Sequence, residues 1–317
     1  MMLFLLTFLI AVFLTILFTP MVRSIASSIG AVDKPSERKI HNKVTPRLGG
    51  IAVYGGFFAA VAFAFFYSGW FGPVVQSRPL IGILLGGSVM VIIGILDDIR
   101  GLSPWTKLLW QTAGAGIAIY FGVEISFVTN PFNGLLPLGL VAVPLTLIWL
   151  VGMTNAINLI DGLDGLAAGV TAISAATLFF VALRTHQIGA AIIILALSGS
   201  ALGFLRYNFY PASIFLGDAG SYFLGFVLAA ASIIGVFKTT LVVALIIPLL
   251  ILGVPIFDTI FAIVRRLNER KNVFSADNRH LHHLLLRAGL TQREAVMAIY
   301  IACFLLSASA LIMALQK

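Results

Sequence analysis

The stretch PLIGILLGGSVMVIIGILDD, residues 79–98, decides the fold. Eighteen uncharged residues, Pro79 to Leu96, run directly into the pair Asp97-Asp98. One helical crossing of a bilayer takes about 20 apolar residues. A carboxylate at the edge of lipid is costly unless paired, hydrated or bound to a cation, so acids placed there mark function. The pattern recurs where thirty-six uncharged residues, Ile125 to Ile160, end in Asp161-Gly162-Leu163-Asp164. Carboxylates this close repel, and a divalent cation is the usual means of holding them together. Both pairs therefore point to a metal-dependent polar site at a membrane surface.

Composition extends this reading to the whole chain. Of 317 residues 60% are hydrophobic and 10% charged, and mean hydropathy is +1.06, which excludes an ordinary soluble domain. Splitting the uncharged runs at turn signals predicts an all-α, polytopic protein of ten transmembrane helices. They fall at roughly 1–22, 48–69, 79–96, 106–123, 137–157, 165–183, 185–205, 216–237, 239–264 and 295–316. Asn130-Pro131-Phe132-Asn133-Gly134 is the turn that divides 125–160, and Arg184 and Lys238 mark two tight connections. No linker, heptad or low-complexity tract interrupts, so 1–317 reads as a single transmembrane domain. The first segment lacks a preceding basic residue and a small-residue cleavage site, and reads as an anchor. The lone Cys303 excludes a disulfide framework.

Orientation follows from the twenty basic residues. Sixteen lie in the odd-numbered loops, and only Arg78, Arg184, Lys238 and Lys317 lie on the other side. The positive-inside rule puts the odd loops in the cytoplasm and both termini outside. Eleven of the twelve acids share that side, Glu124 being the exception. A net charge of +8 suits anionic lipid and anionic substrates alike. No aromatic-interleaved basic run suggests nucleic acid.

The loops carry the chemistry. The first runs from Asp33 through Lys43 and Thr45-Pro46-Arg47 into Gly49-Gly50, where free helix N–H groups beside two cations would cradle a phosphate. In the third cytoplasmic loop Asn155, Asn158 and Asp161 follow at i, i+3, i+6, a row of oxygens fit to ligate a hard cation or bind a ligand. Capping of the next helix by Asp164 is the structural alternative. Phe215-Leu216-Gly217-Asp218 precedes the eighth segment, where Asp218 is either a helix cap or a site residue. Arg279-His280-Leu281-His282-His283 stands in oxygen-rich, Cys-free surroundings, which favours phosphate or proton handling over zinc. Asp258, two turns before Arg265, fits a structural ion pair or a site role equally.

Together these segments resemble the polyprenyl-phosphate N-acetylhexosamine-1-phosphate transferase family, with five motifs in family order from Asp33 to about Gly289. The split pattern His280-x-His282-His283 followed by Leu284-Leu285-Leu286-Arg287 is similar to the N-acetylglucosamine-1-phosphate (WecA/TagO type) branch, and Arg47 points the same way. The pentapeptide translocase of the family typically has three consecutive histidines there, and threonine in place of Ile160. The resemblance implies transfer of N-acetylglucosamine 1-phosphate from UDP-N-acetylglucosamine to undecaprenyl phosphate with release of UMP, at a bacterial cytoplasmic membrane. It implies Mg2+, with Mn2+ as substitute, held by Asp218 and Asn158, and Asp97 as base or nucleophile beside Asp98. Gly162, Leu163, Asp164 and Phe215 would hold the uridine. Lys43, His280, His282 and His283 would meet phosphates, with Arg47 and Arg265 near sugar or phosphate. Asn155 and Asp161 complete the expected substrate face, and a homodimer is compatible with the reading. Two rivals stand beside it: the pentapeptide translocase, and a proton-coupled transporter, for which charges would converge near the midplane from both sides.

Overall fold

The computed structural model describes residues 1–33, 44–67, 69, 78–130, 134–237, 246–270 and 279–315. Lys43, Lys238 and the turn residues 131–133 lie outside them, as do residues 271–278 of the last loop. Helices dominate: α1 Met2–Ser28, α2 Gly49–Tyr67, α3 Arg78–Arg100, α4 Pro104–Tyr120, α5 Ala142–Ile160, α6 Leu166–Arg184, α7 Ile188–Asn208 and α8 Gly217–Ser232. After these come α9 Ile246–Ile251, α10 Gly253–Asn268, α11 Leu281–Arg287 and α12 Gln292–Leu315. Among the described residues eight helices are long and apolar enough to cross a membrane. The protein is an α-helical, multi-pass membrane protein.

The packing logic is that of lipid, where close backbone approach replaces hydrophobic exclusion from water. In α1 the buried face carries Thr7, Ala11, Thr15 and Thr19, while Leu5, Leu9, Phe13 and Leu17 face outward. At the centre stands α8, every residue of which is buried except Asp218. Its small residues admit neighbouring backbones. A Cβ at Gly94 of α3 would enter the backbone of Ala219, and one at Gly50 of α2 the backbone of Gly220. One at Gly225 would strike α5 at Met153 and Thr154. Three helices thus close on the first turns of α8, holding the end that carries Asp218.

Three features depart from the expected segments. A short antiparallel ladder pairs β3 Phe127–Asn130 with β4 Gly134–Pro137, Asn130 opposite Gly134. A second ladder, β1 Val32–Asp33 with β2 Thr45–Pro46, closes the first loop by pairing Asp33 with Thr45. The single helix expected at 239–264 is broken. It forms α9 and α10, separated at Leu252, with Pro255 in the first turn of α10 unable to donate a backbone hydrogen bond.

Candidate active site

The loops that carried the sequence motifs meet at one end of the bundle. The Phe215 N–H donates to Pro46 O at 2.8 Å, while Gly49 N and Gly50 N donate to the carbonyls of Phe215 and Leu216 at 3.0 and 2.8 Å. The expected phosphate cradle at Gly49-Gly50 is therefore corrected: those N–H groups are already spent, and the glycines serve close packing. This lacing joins the first loop to the start of α8.

Asp98 completes the join. Its carboxylate accepts from Asp218 N at 3.0 Å and Ala219 N at 3.1 Å and pairs with Arg47 at 3.0 Å, so it caps α8 from a neighbouring helix. Gly217 is required there twice over, having φ +76° and no room for a Cβ beside the Asp98 carboxylate. Asp97 is buried as well. It accepts from Leu102 N at 2.8 Å and the Tyr222 hydroxyl at 2.9 Å, pairs with Lys107, and stands within hydrogen-bonding reach of Asp218.

With its helix capped by Asp98, Asp218 is not a cap itself. The Asn158 amide donates to its Oδ1 at 2.7 Å and to Ser221 Oγ at 2.9 Å, and Arg47 stands 3.9 Å from Oδ2. Asp164 Oδ2 accepts from Ala212 N at 2.9 Å and ties the α5–α6 turn to the loop before α8. Asn208 makes the same connection, accepting from Gly165 N and donating to Ile214 O. Sequence reading missed it. Its only signal was a polar residue where an apolar helix ends.

Arg47, Asn158, Asp161, Gly162, Leu163, Asp164, Phe215, Asp218 and His283 line one cavity of about 370 Å³, with Asp33, Asn208 and Gln292. Burial pushes the Asp161 carboxyl well above the usual carboxylate range, and the charges of Asp218 and Asp98 add to it. Burial disfavours the Arg47 charge, but Asp98 and Asp218 outweigh it and hold the guanidinium charged. The remaining expected residues lie elsewhere. Asp98 caps α8 away from this cavity, and Asp97 stands beside Asp218, between Tyr222 and Lys107. Asn155 turns to Gln111, donating to it at 2.7 Å. His282 is buried against Gly162, and His280 is buried against Asp258. Arg265 lines a separate, mostly apolar groove with Phe257 and Phe261.

The donor set fits a hard cation. Around Asp218 the groups are oxygens and amides, with no thiol, and four acids crowd around Arg47 and Lys107. Among the described residues no three His, Cys, Asp or Glu groups form a closed metal cage. Oxygen donors of this kind are the ones a hard cation takes, one or two carboxylates at a time together with substrate phosphates.

Fold and site define a polytopic membrane protein with an acid-lined chamber at one end, where Arg47 stands among aspartates. Residues 80–236 match the glycosyl transferase family 4 profile. The chain is 42% identical over 311 residues to the probable undecaprenyl-phosphate N-acetylglucosaminyl 1-phosphate transferase of Bacillus subtilis (strain 168), covering 96% of this chain and 84% of that protein. It is 37% identical to the decaprenyl-phosphate N-acetylglucosaminephosphotransferase of Mycobacterium tuberculosis (strain ATCC 25618 / H37Rv), covering 92% and 78%. To the undecaprenyl-phosphate alpha-N-acetylglucosaminyl 1-phosphate transferase of Escherichia coli (strain K12) it is 32% identical, covering 95% and 82%. The chain belongs to glycosyl transferase family 4, in the polyprenyl-phosphate N-acetylhexosamine-1-phosphate transferase group.

Proposed function

We propose that this protein transfers N-acetylglucosamine 1-phosphate from UDP-N-acetylglucosamine to undecaprenyl phosphate, releasing UMP, as the first membrane step of a cell-envelope glycan. The observation that carries the reading is the placement of Asp218. It is the one residue of the central helix that is not buried, and it faces a cavity shared with Arg47, Asp161 and His283. The family relatives catalyse this reaction type by name.

Asp218 and Asn158 would hold magnesium, which when bound neutralises the donor diphosphate and stabilises departing UMP. Arg47, kept charged by two aspartates, is placed to meet a phosphoryl oxygen from the other side. Phe215 and Leu163 offer apolar surface for a base, and Asp164 is fixed beside them by Ala212 N. His283 stands in the wall where a phosphate would pass. Asp97, hydrogen-bonded to Tyr222 and paired with Lys107, is suited to accept a proton or position the acceptor phosphate.

The reading takes ten crossings: α1 to α8, the broken α9–α10 unit, and α12, eight of them long and apolar enough by themselves among the described residues. With both termini outside, the cavity opens to the cytoplasm of a bacterial inner membrane, where a UDP-sugar and a lipid phosphate meet. The test is UMP release by purified protein from UDP-N-acetylglucosamine and undecaprenyl phosphate, with magnesium titrated. Release that needs the lipid and the metal is expected, and none under any metal would overturn the proposal.

A further inference from the structure

The three histidines of the last segment reach the cavity unequally. Only His283 lines it, while His282 and His280 are buried behind. The rings nevertheless form a column. His280 and His282 stack with centroids 5.9 Å apart and planes within 4°, and the His283 ring lies 4.2 Å from that of His282. At the far end sits Asp258 of α10, with both carboxylate oxygens used. Oδ2 is 2.9 Å from His280 Nδ1, and Oδ1 accepts from Leu281 N at 2.7 Å. An ionised carboxylate only accepts, so Nδ1 carries the proton.

We propose that Asp258 is a positioning residue of the transfer reaction: by clamping His280 and the start of α11, it sets through the ring column where His283 stands in the cavity wall. The inference rests on the transferase reading above. Two physical arguments support it. A seven-residue helix such as α11 has little stability of its own, so its place is decided by what anchors its ends. A buried carboxylate bonded to an imidazole adds little net stability compared with well-packed apolar residues, so orientation of the ring is the physical return of burying the two. The side chains of Asp258 and His280 are 6% and 5% exposed, which excludes an ordinary surface pair. His282 meanwhile fits only because position 162 has no Cβ, which docks the column onto the loop that carries Asp161 and Asp164.

The test uses the full-length enzyme in a lipid nanodisc, as wild type, Asp258→Asn, His283→Ala and the double variant. Asp258→Asn keeps shape and an acceptor for Leu281 N but loses the charge that orders His280. It should lose on the order of 100-fold in kcat, the scale of a misplaced polar group, with little change in apparent Tm. The double variant should be no slower than His283→Ala alone, because both changes act through one group. Losses that multiply, or wild-type turnover by Asp258→Asn, would overturn the proposal. His280→Gln, which leaves the bond from Leu281 N in place, should show the same non-additivity if Asp258→Asn does not fold. Hydrogen exchange over residues 281–287 reads the clamp without turnover: faster exchange in Asp258→Asn is expected, and unchanged exchange refutes it. A wild type that releases no UMP refutes the transferase reading instead, and the exchange comparison then decides the clamp alone.

Discussion

Three aspartates at this site differ in what they touch, and substitutions should separate them. Asp218 is the carboxylate that opens into the cavity. Asp218→Asn should remove most activity while leaving folding intact, since it weakens both metal binding and stabilisation of the transferring phosphoryl group. Near-normal turnover across a magnesium titration would sink that role. Asp98 accepts two backbone N–H groups and an arginine, and charged hydrogen bonds of this kind are worth about 1.5–3 kcal/mol each. Asp98→Ala should therefore lower apparent Tm as well as rate, a combination Asp218→Asn should not show. Asp97→Asn should slow turnover by roughly 10²–10⁴-fold, the range of a general base, with little change in donor KM. A normal rate with weak donor binding would reassign Asp97 to binding.

At the scale of elements, the docking of α11 is the most exposed to test. Burial, with His283 and His280 nearby, pushes the His282 imidazole down to about 3, so it is neutral in the fold. An unfolded histidine takes up a proton near pH 6.5. Below that the unfolded chain binds more protons than the fold, so this contribution to stability is complete above about pH 6.5 and is lost as pH falls toward 3. The slope is at most about 1.4 kcal/mol per pH unit for one group. Apparent Tm should therefore drop between about pH 6.5 and 5, and His282→Gln should flatten the drop. An equal drop in both proteins would place the sensitivity elsewhere. Gly162→Ala attacks the same junction, since the added Cβ would enter the His282 ring. Overpacking of this sort costs about 1–3 kcal/mol. Loss of turnover with the rest of the bundle intact is expected, and a fully active Gly162→Ala would show that α11 can move without consequence.

At the scale of the molecule, two outcomes concern orientation and donor choice. With both termini outside, a cysteine at the exposed position 186 should react with a membrane-impermeant maleimide on intact cells. One at the exposed position 100 should react only after permeabilisation, against a background Cys303 that is buried. The reverse pattern would invert the topology. N-acetylglucosamine needs only a compact pocket, whereas a pentapeptidyl muramyl group needs an open groove with polar contacts along it. UDP-N-acetylglucosamine should therefore be turned over with far higher kcat/KM than UDP-MurNAc-pentapeptide. The opposite preference would change the donor and leave the reaction type standing.

Membrane insertion, the helical class and the loops that carry chemistry were all legible in residues 79–98 and 125–164, because lipid penalises charge so heavily that every acid left near it is informative. Asp218 stood in the sequence as either a helix cap or a site residue, and the family resemblance singled it out. What the linear order could not convey was contact between segments far apart in the chain. That Asp98 caps α8, that Asn155 turns to Gln111, and that Gly49-Gly50 spend their N–H groups on Phe215 and Leu216 all depend on which helix faces pack. The same holds for Asp258, which sequence alone left open between ion pair and site residue, and which became interpretable when its two oxygens were seen on His280 and Leu281. Burial cost is paid residue by residue and can be read along a sequence. Hydrogen-bond partners that lie from 22 to 120 positions apart or more are chosen only when the bundle closes, so the tertiary structure alone decided them.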